Sequence, residues 1–233
     1  REGLFRSMDG GSNWTLTSAP TGDISQAMSS GNTPSGSLFV VIDPGTTTGT
    51  PARSATLYVG AYNDGIYRST DGGTTFHKLS GGPSVFYRAE LGVDGTLYIA
   101  GGGLWKYDGS AWTDISPVSG AEFMGLAVDP QDANHLIVSK QDSGSAAHNL
   151  PMWRSTNGGS SWTLMDMSKN LTTPWMPAWH WGSSTFDIAI DPFNSDTVWF
   201  TDWYSPWRTR NVSAATSIWT DYNTGIEEMV TTG

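Results

Sequence analysis

The sequence predicts an all-β fold, a β-propeller of four-stranded antiparallel blades, with about four to five blades present as part of a larger ring. Three observations predict it. A short pattern, Ser-x-Asp/Asn-Gly-Gly-x-x-aromatic, recurs along the chain; an apolar strand ending in Asp-Pro or Asp-Gly recurs upstream of it; and glycine and tryptophan are abundant, at 28 and 12 of 233 residues. Fixed-period repeats decide architecture before any single residue does. Residues 1–233 read as one partial propeller domain.

The repeated turn stands at Ser7-Met8-Asp9-Gly10-Gly11-Ser12-Asn13-Trp14, at Ser69-Thr70-Asp71-Gly72-Gly73-Thr74-Thr75-Phe76 and at Ser155-Thr156-Asn157-Gly158-Gly159-Ser160-Ser161-Trp162. A shortened copy runs from Tyr107 through Asp108 and Gly109 to Trp112. Each follows a short alternating strand (Leu4-Phe5-Arg6, Gly65 to Arg68, Gly103 to Lys106, Met152-Trp153-Arg154) and leads into another, which makes a β-hairpin. The Asp or Asn accepts backbone N–H groups, the glycines supply positive φ, and the aromatic closes the hairpin. The pattern resembles the Asp-box, or BNR repeat, and Asp9, Asp71, Asp108 and Asn157 are read as structural at its centre.

Two further strands precede each complete hairpin. They are Val40 to Asp43 with Thr56 to Gly60, Leu91 to Gly95 with Thr96 to Ile99, Leu126 to Pro130 with His135 to Val138, and Ile188 to Pro192 with Thr197 to Phe200. Two strands plus a hairpin make one blade. The central Asp or Asn positions lie 62, 37 and 49 residues apart, which brackets the roughly 40 to 50 residues of a propeller blade. No long amphipathic helix is predicted. The Asp-Pro pairs at Asp43, Asp129 and Asp191 are turn formers, since Pro fixes φ and the carboxylate bonds nearby N–H groups.

Composition narrows the function. Twelve basic against 22 acidic residues give a net charge of −10, which repels a phosphate backbone and argues against nucleic acid as a partner. Zero cysteines exclude a disulfide framework, a thiol nucleophile and thiolate zinc sites. His77, His135, His148 and His180 lack metal-ligand spacing, and no glycine-rich phosphate loop opens a helix, so neither metal nor cofactor is expected. A sialidase needs three arginines converging on a carboxylate; Arg6, Arg68 and Arg154 instead share one repeat position and read as structural. No apolar run approaches the roughly 18 residues of a membrane helix, and the start, Arg1-Glu2-Gly3-Leu4, has no signal-peptide core. Either a signal was removed or the chain starts downstream of it.

The ordered set of motifs resembles the N-terminal propeller of glycoside hydrolase family 74, the xyloglucanases. Residues that carry the resemblance are Gly3 to Ser7 with its turn, Val59-Gly60 through Gly73, Leu104 to Tyr107 running to Trp112 through Pro117, Gly125 to Pro130, Ile188 to Phe193, and Gly225-Ile226-Glu227-Glu228. The resemblance implies a seven-bladed ring, a second propeller domain facing it across a cleft, a secreted protein, and hydrolysis of xylose-branched β-1,4-glucan with inversion. The family's two catalytic aspartates match no position here, so no catalytic residue is assigned; Asp9 and Asp71 also precede Gly-Gly but belong to the repeated turns. Two departures touch the loops. Only Ala100 to Gly103 stands where the family carries a longer insertion, and Phe86 to Glu90 replaces a His-containing stretch.

The candidate substrate-binding residues are Trp175, Trp179, His180, Trp181, Trp203, Tyr204 and Trp207, flat side chains in two neighbouring segments that suit the apolar faces of glucose and xylose. The alternative for these rings is packing between blades. A lesser candidate is the polar loop tip Tyr62-Asn63-Asp64. Asn13, Asn170 and Asn211 each begin a glycosylation sequon, read as chance. Two functions follow as expectations: one wall of a polysaccharide hydrolase cleft, or a non-catalytic propeller that binds glycans or a protein partner.

Overall fold

The computed structural model describes residues 4–18, 20, 39–50, 52–61, 64–140, 151–174, 185, 187–202 and 205–223. The chain divides into two compact units, Arg1–Asp114 and Ile115–Gly233.

The first unit opens with a hairpin of β1 (Phe5–Arg6) and β2 (Thr15–Leu16), in register Phe5 to Leu16 and Arg6 to Thr15. A complete blade follows: β3 (Phe39–Ile42), then β6 (Leu57–Ala61), β7 (Gly65–Ser69) and β8 (His77–Lys78), paired in the order β3-β6-β7-β8. Between β3 and β6 the chain makes a small excursion. Asp43 accepts the Gly45 N–H at 2.9 Å and starts a 3-10 turn over Pro44–Thr46, and β4 (Thr47–Thr48) pairs with β5 (Arg53–Ser54). The next blade is β9 (Phe86–Leu91), β10 (Leu97–Gly101), β11 (Gly103–Tyr107) and β12 (Trp112–Asp114), each paired with its neighbour.

Blade faces in this unit meet through aromatic side chains. Tyr58, Ile66, Phe86, Leu97, Ile99 and Tyr107 form one buried cluster, with Phe39 against Phe86 edge to face at 5.1 Å. Gly60 lets that pair approach: a Cβ there would stand 2.2 Å from the Phe39 ring and 2.7 Å from that of Phe86.

The second unit holds a blade of β13 (Phe123–Val128), β14 (Leu136–Lys140), β15 (Met152–Ser155) and β16 (Thr163–Leu164). Its last sheet has five strands, not four. The antiparallel blade of β18 (Asp187–Asp191), β19 (Asn194–Thr201), β20 (Pro206–Thr209) and β21 (Thr216–Asp221) gains β17 (Asp166–Asn170), which runs parallel along the outer edge of β21. The polar run Asp-Met-Ser-Lys-Asn has little strand propensity; it becomes a strand because its backbone satisfies the open edge of β21 while Met167 packs on the core. Trp207, Trp219, Phe200 and Val198 centre that core, all at most 1 % exposed. Burying a side chain of this size contributes about 1.5–3 kcal/mol.

The fold is therefore the predicted all-β propeller of four-stranded antiparallel blades, with one added strand. Among the described residues the 3-10 turn at Pro44–Thr46 is the only helical segment, and none of them forms a helix long and apolar enough to cross a membrane.

Candidate functional site at the loop end of the last blade

Antiparallel connectivity gives every blade two ends. The turn between the third and fourth strands lies at one end; the turn between the second and third, and the connection to the following blade, lie at the other. In the last blade the pairs Asp187 with Thr201, Thr201 with Pro206, and Asn170 with Thr220 set that second end, and the Tyr222 N–H donates to the Pro206 carbonyl at 2.9 Å. The connection from Asn170 to Asp187 and the turn 202–205 thus depart from the same end of one sheet.

Two buried carboxylates hold this end. Asp202, 8 % exposed, accepts the Ser205 N–H at 2.8 Å and the Trp207 indole N–H at 2.9 Å, while its own N–H donates to the Ser205 carbonyl at 3.1 Å. Asp221, 1 % exposed, accepts the backbone N–H and the hydroxyl of Thr172 on one oxygen and the Thr173 hydroxyl on the other. The Thr172 hydroxyl also lies 3.0 Å from the Asp221 carbonyl. Outside this pair of anchors, Arg208 stacks over Trp199 at 5.0 Å and over Tyr222 at 4.3 Å and donates to the Tyr222 hydroxyl.

The opposite ends of the blades carry the repeated turns, and their carboxylates are occupied. In the hairpin at Asp71 the Ser69 hydroxyl donates to the carboxylate at 2.8 Å, Gly73 N–H donates back to Ser69 at 2.8 Å, and Thr75 N–H reaches Asp71 at 2.9 Å. Gly72 and Gly73 sit at φ 70° and 81°. Ser7, Asp9, Gly11 and Asn13 repeat this network, as do Ser155, Asn157, Gly159 and Ser161. Asp108 accepts from Ser110 and Ala111 in the shortened copy. These bonds hold Asp9 and Asp71 below the usual carboxylate range, chiefly through Asn13 and Thr75 respectively, and Asp108 at about 2, chiefly through the Ala111 N–H. Such groups are fixed, ionised turn formers at neutral pH. The Asp-Pro carboxylates likewise bond the N–H two residues on, at Gly45, Gln131 and Phe193.

A fifth turn of this kind escapes the sequence pattern. Thr209 donates to Asn211 at 2.7 Å, Asn211 N–H returns to Thr209 at 3.2 Å, and Ile218 N–H reaches Asn211 at 3.0 Å, without any Gly-Gly pair. Arginines tie turn to turn within each unit: Arg6 donates to the Gly72 carbonyl at 2.8 Å and Arg154 to the Val212 carbonyl at 2.9 Å, in both cases one residue past the central Asp or Asn. The shared repeat position of these arginines is structural.

No protein-family model matches the chain. The chain is 30 % identical over 250 aligned positions to a xyloglucanase from a Paenibacillus species, covering 85 % of this chain and 24 % of that protein. Its fold superposes on the family 74 glycoside hydrolase of Niastella koreensis with a TM-score of 0.75 at 29 % identity, over 94 % of this chain and 34 % of that one. For the family 74 xyloglucanase of Xanthomonas campestris the TM-score is 0.76 at 27 % identity, over 94 % and 36 %. In sequence and in fold the chain is thus similar to part of the xyloglucanases of glycoside hydrolase family 74. It spans about a quarter of the length of the curated relatives it matches.

Trp175, Trp179, His180, Trp181, Trp203 and Tyr204 lie outside the described residues. Trp207, expected with them on the sugar-stacking surface, is instead buried at 0 %, stacked on Phe200 with 6.1 Å between centroids and bonded to Asp202. As the cross-strand partner of Phe200 and of Asp221 it alternates inward, so no face of the ring is open to a sugar. Of the lesser loop tip, Asp64 is described: it pairs with Lys78 at 2.7 Å and accepts the Tyr67 hydroxyl at 2.7 Å. Burial and that carboxylate raise the phenol to about 12. Another polar depression of about 340 Å³ is lined by Asp129, Asp132, His135, Arg154, Ser195 and Asp196. In it Asp129 meets His135 at 3.1 Å. Burial pushes that carboxyl up, but the Ser195, Gln131 and His135 bonds outweigh it and hold it below its ordinary value. No group of three or more acidic, His or Cys side chains among the described residues is arranged to hold a metal.

Sequence reasoning missed Asp202, Asp221 and the threonine pair. Asp202 and Ser205, whose N–H it accepts three residues on, carried a local signal; Asp221 and Thr172 lie 49 residues apart and carried none.

Proposed function

We propose that this chain forms one wall of the substrate cleft of a secreted, xyloglucan-degrading glycoside hydrolase. The catalytic acid and base lie outside these 233 residues, and the reaction proceeds with inversion across a pair of carboxylates about 6.5–9.5 Å apart. A second propeller domain of the same protein would form the facing wall. The observation that carries the reading is the relation to xyloglucanases along 85 % of the chain, joined to a family 74 fold. Two features of the blade support the location. Both aromatic-rich segments depart from one end of one sheet, and at the other end of the same blade the Asp191 and Asp196 carboxylates accept the Phe193 and Ser213 N–H groups. Trp175, Trp179, His180, Trp181, Trp203 and Tyr204 then supply stacking faces and hydrogen bonds to the glucan and its xylose branches.

The test is calorimetric titration of the 233-residue chain with a xylose-branched glucan oligosaccharide, beside a reducing-sugar assay on xyloglucan. Saturable binding without turnover is expected. Turnover by this chain would contradict the assignment of acid and base, and absent binding would contradict the cleft wall. The longer parent protein is expected to release product, initially as the α-anomer seen by proton NMR.

A further inference from the structure

We propose that Asn157 is a latent modification site: the folded turn holds the Asn157-Gly158 pair against deamidation, and when that turn opens the side chain loses its amide, leaving a product that the turn accepts in its aspartate form. The proposal is independent of the cleft-wall reading above.

It starts from a difference within the repeat. Three of the four turns read from the sequence carry aspartate at their centre, and the fourth carries Asn157, the one asparagine of the chain that a glycine follows. Glycine has no Cβ to shield its backbone nitrogen. In such a pair the Gly158 nitrogen attacks the Asn157 Cγ, the bond from Cγ to the side-chain nitrogen breaks, and ammonia leaves with the amide proton, which closes a cyclic imide. Water then opens the ring. Addition at Cγ gives aspartate, and addition at the Asn157 backbone carbonyl gives isoaspartate, in which the main chain runs through the side chain.

The atoms this attack needs are engaged in the folded turn. The Gly158 N–H donates to the Asn134 carbonyl at 3.0 Å. The Asn157 carboxamide oxygen accepts the Ser155 hydroxyl and the Ser161 N–H, both at 2.9 Å, and its nitrogen donates to the Ser161 hydroxyl at 2.8 Å. The turn is also clamped from outside. The Trp162 indole donates to the Ile115 carbonyl at 2.7 Å, and Gly159 packs so closely that a Cβ there would stand 2.5 Å from the Ile115 side chain. Attack therefore requires the turn to open, and its rate follows the population of the open form.

The two products differ in fit. Asp71 shows how aspartate sits in the equivalent place: it accepts the Ser69 hydroxyl and the Thr75 N–H, its second oxygen accepts the Thr75 hydroxyl at 2.6 Å, and the Gly72 N–H keeps a carbonyl partner, that of Ala55, at 2.9 Å. At Asn157 only the Ser161 hydroxyl has to turn, from acceptor to donor. Isoaspartate instead lengthens the main chain before Gly158, which pulls that residue off Asn134 or drives Gly159 into Ile115.

The experiment incubates the 233-residue chain and a free peptide of residues 155–169 side by side in mildly alkaline buffer, well below the melting temperature. Deamidation at Asn157 is followed by mass spectrometry of the fragment that trypsin releases after Arg154 and Lys169. The folded chain is expected to react at least about tenfold more slowly than the peptide. Ser155→Ala removes the hydroxyl that joins Asn157 to the Gly159 N–H, and should react about three- to tenfold faster than the parent. Ser161→Ala, which removes the acceptor of the carboxamide nitrogen, carries the same reading if Ser155→Ala does not fold. Asn157→Asp is expected to keep the melting temperature at neutral pH within about 2 °C of the parent. Equal rates in the folded chain and the peptide overturn the proposal, as does a rate that neither serine variant raises. A larger loss of melting temperature in Asn157→Asp overturns the acceptance of aspartate by the turn.

Discussion

The two ends of the last blade are held by different chemistry. At the end of the β20–β21 turn, Thr209 and Asn211 make a short local network with no charge, and Asp166 meets Thr216 in the open. At the other end, Asp202 and Asp221 are buried carboxylates that reach across the sheet to residues three, five and 49 positions away. The difference teaches where constraint is concentrated. Both ends carry contacts between residues far apart in sequence, Thr216 to Asp166 at the turn end and Thr172 to Asp221 at the loop end, but only at the loop end of this blade are the carboxylates buried.

Substitutions can break or sharpen this contrast, and the largest effect belongs to the buried end. Trp207→Ala removes a fully buried ring and the indole donor of Asp202, and is expected to destabilise by about 3–5 kcal/mol in urea denaturation. Asp221→Ala leaves the Thr172 N–H and the threonine hydroxyls without their acceptor and should cost about 1–3 kcal/mol, with the lost amide protection confined to residues near Thr172. Gly73→Ala, at the turn end, forces a side chain into φ 81° and should cost about 1–2 kcal/mol. Arg154→Met removes one cross-blade bond to a carbonyl, about 1 kcal/mol by the same measurement.

The smallest effect is the most diagnostic. Asp71→Asn should leave the melting temperature at neutral pH unchanged within scatter, because Asn157 already makes the same bonds in the equivalent turn. Its consequence lies in acid. A carboxyl held below its unfolded value contributes stability that is complete above that value and is lost as pH falls through the folded one. Asp108, at about 2 against an ordinary 3.8, places its share of the loss between those values, and Asp71 begins to lose its share at the same 3.8 and continues further down. Thermal melts from neutral pH to about pH 2 should therefore show a shallower acid decline for Asp71→Asn than for the parent. An identical decline would mean that these turns contribute nothing to acid sensitivity.

What the sequence made legible follows the same division. The blades could be read because each strand is a local apolar run and each hairpin carries its own Asp or Asn, as at Asp9, Asp71, Asp108 and Asn157. The turn at Asn211 was hidden by its missing Gly-Gly pair, although Arg208-Thr209-x-Asn211 stands in register with Arg154-Ser155-x-Asn157. Strand β17 could not be read, since the edge of β21 and not its own composition makes it a strand. Trp207 was misread because tryptophan is equally suited to a sugar and to a core; only the alternation of β20 separates the two. The anchor Asp221 was invisible for the deeper reason that its partners, Thr172 and Thr173, are set by the folded sheet.

The central claim, that the loop end of the last blade and not the turn end meets the polysaccharide, is tested most directly by amide hydrogen exchange of the chain with and without a xylose-branched glucan oligosaccharide. The account predicts added protection in peptides spanning 171–186 and 202–205 and none in those spanning 69–76, 155–162 and 209–216. Protection centred on the repeated turns, or none at saturating oligosaccharide, would contradict it.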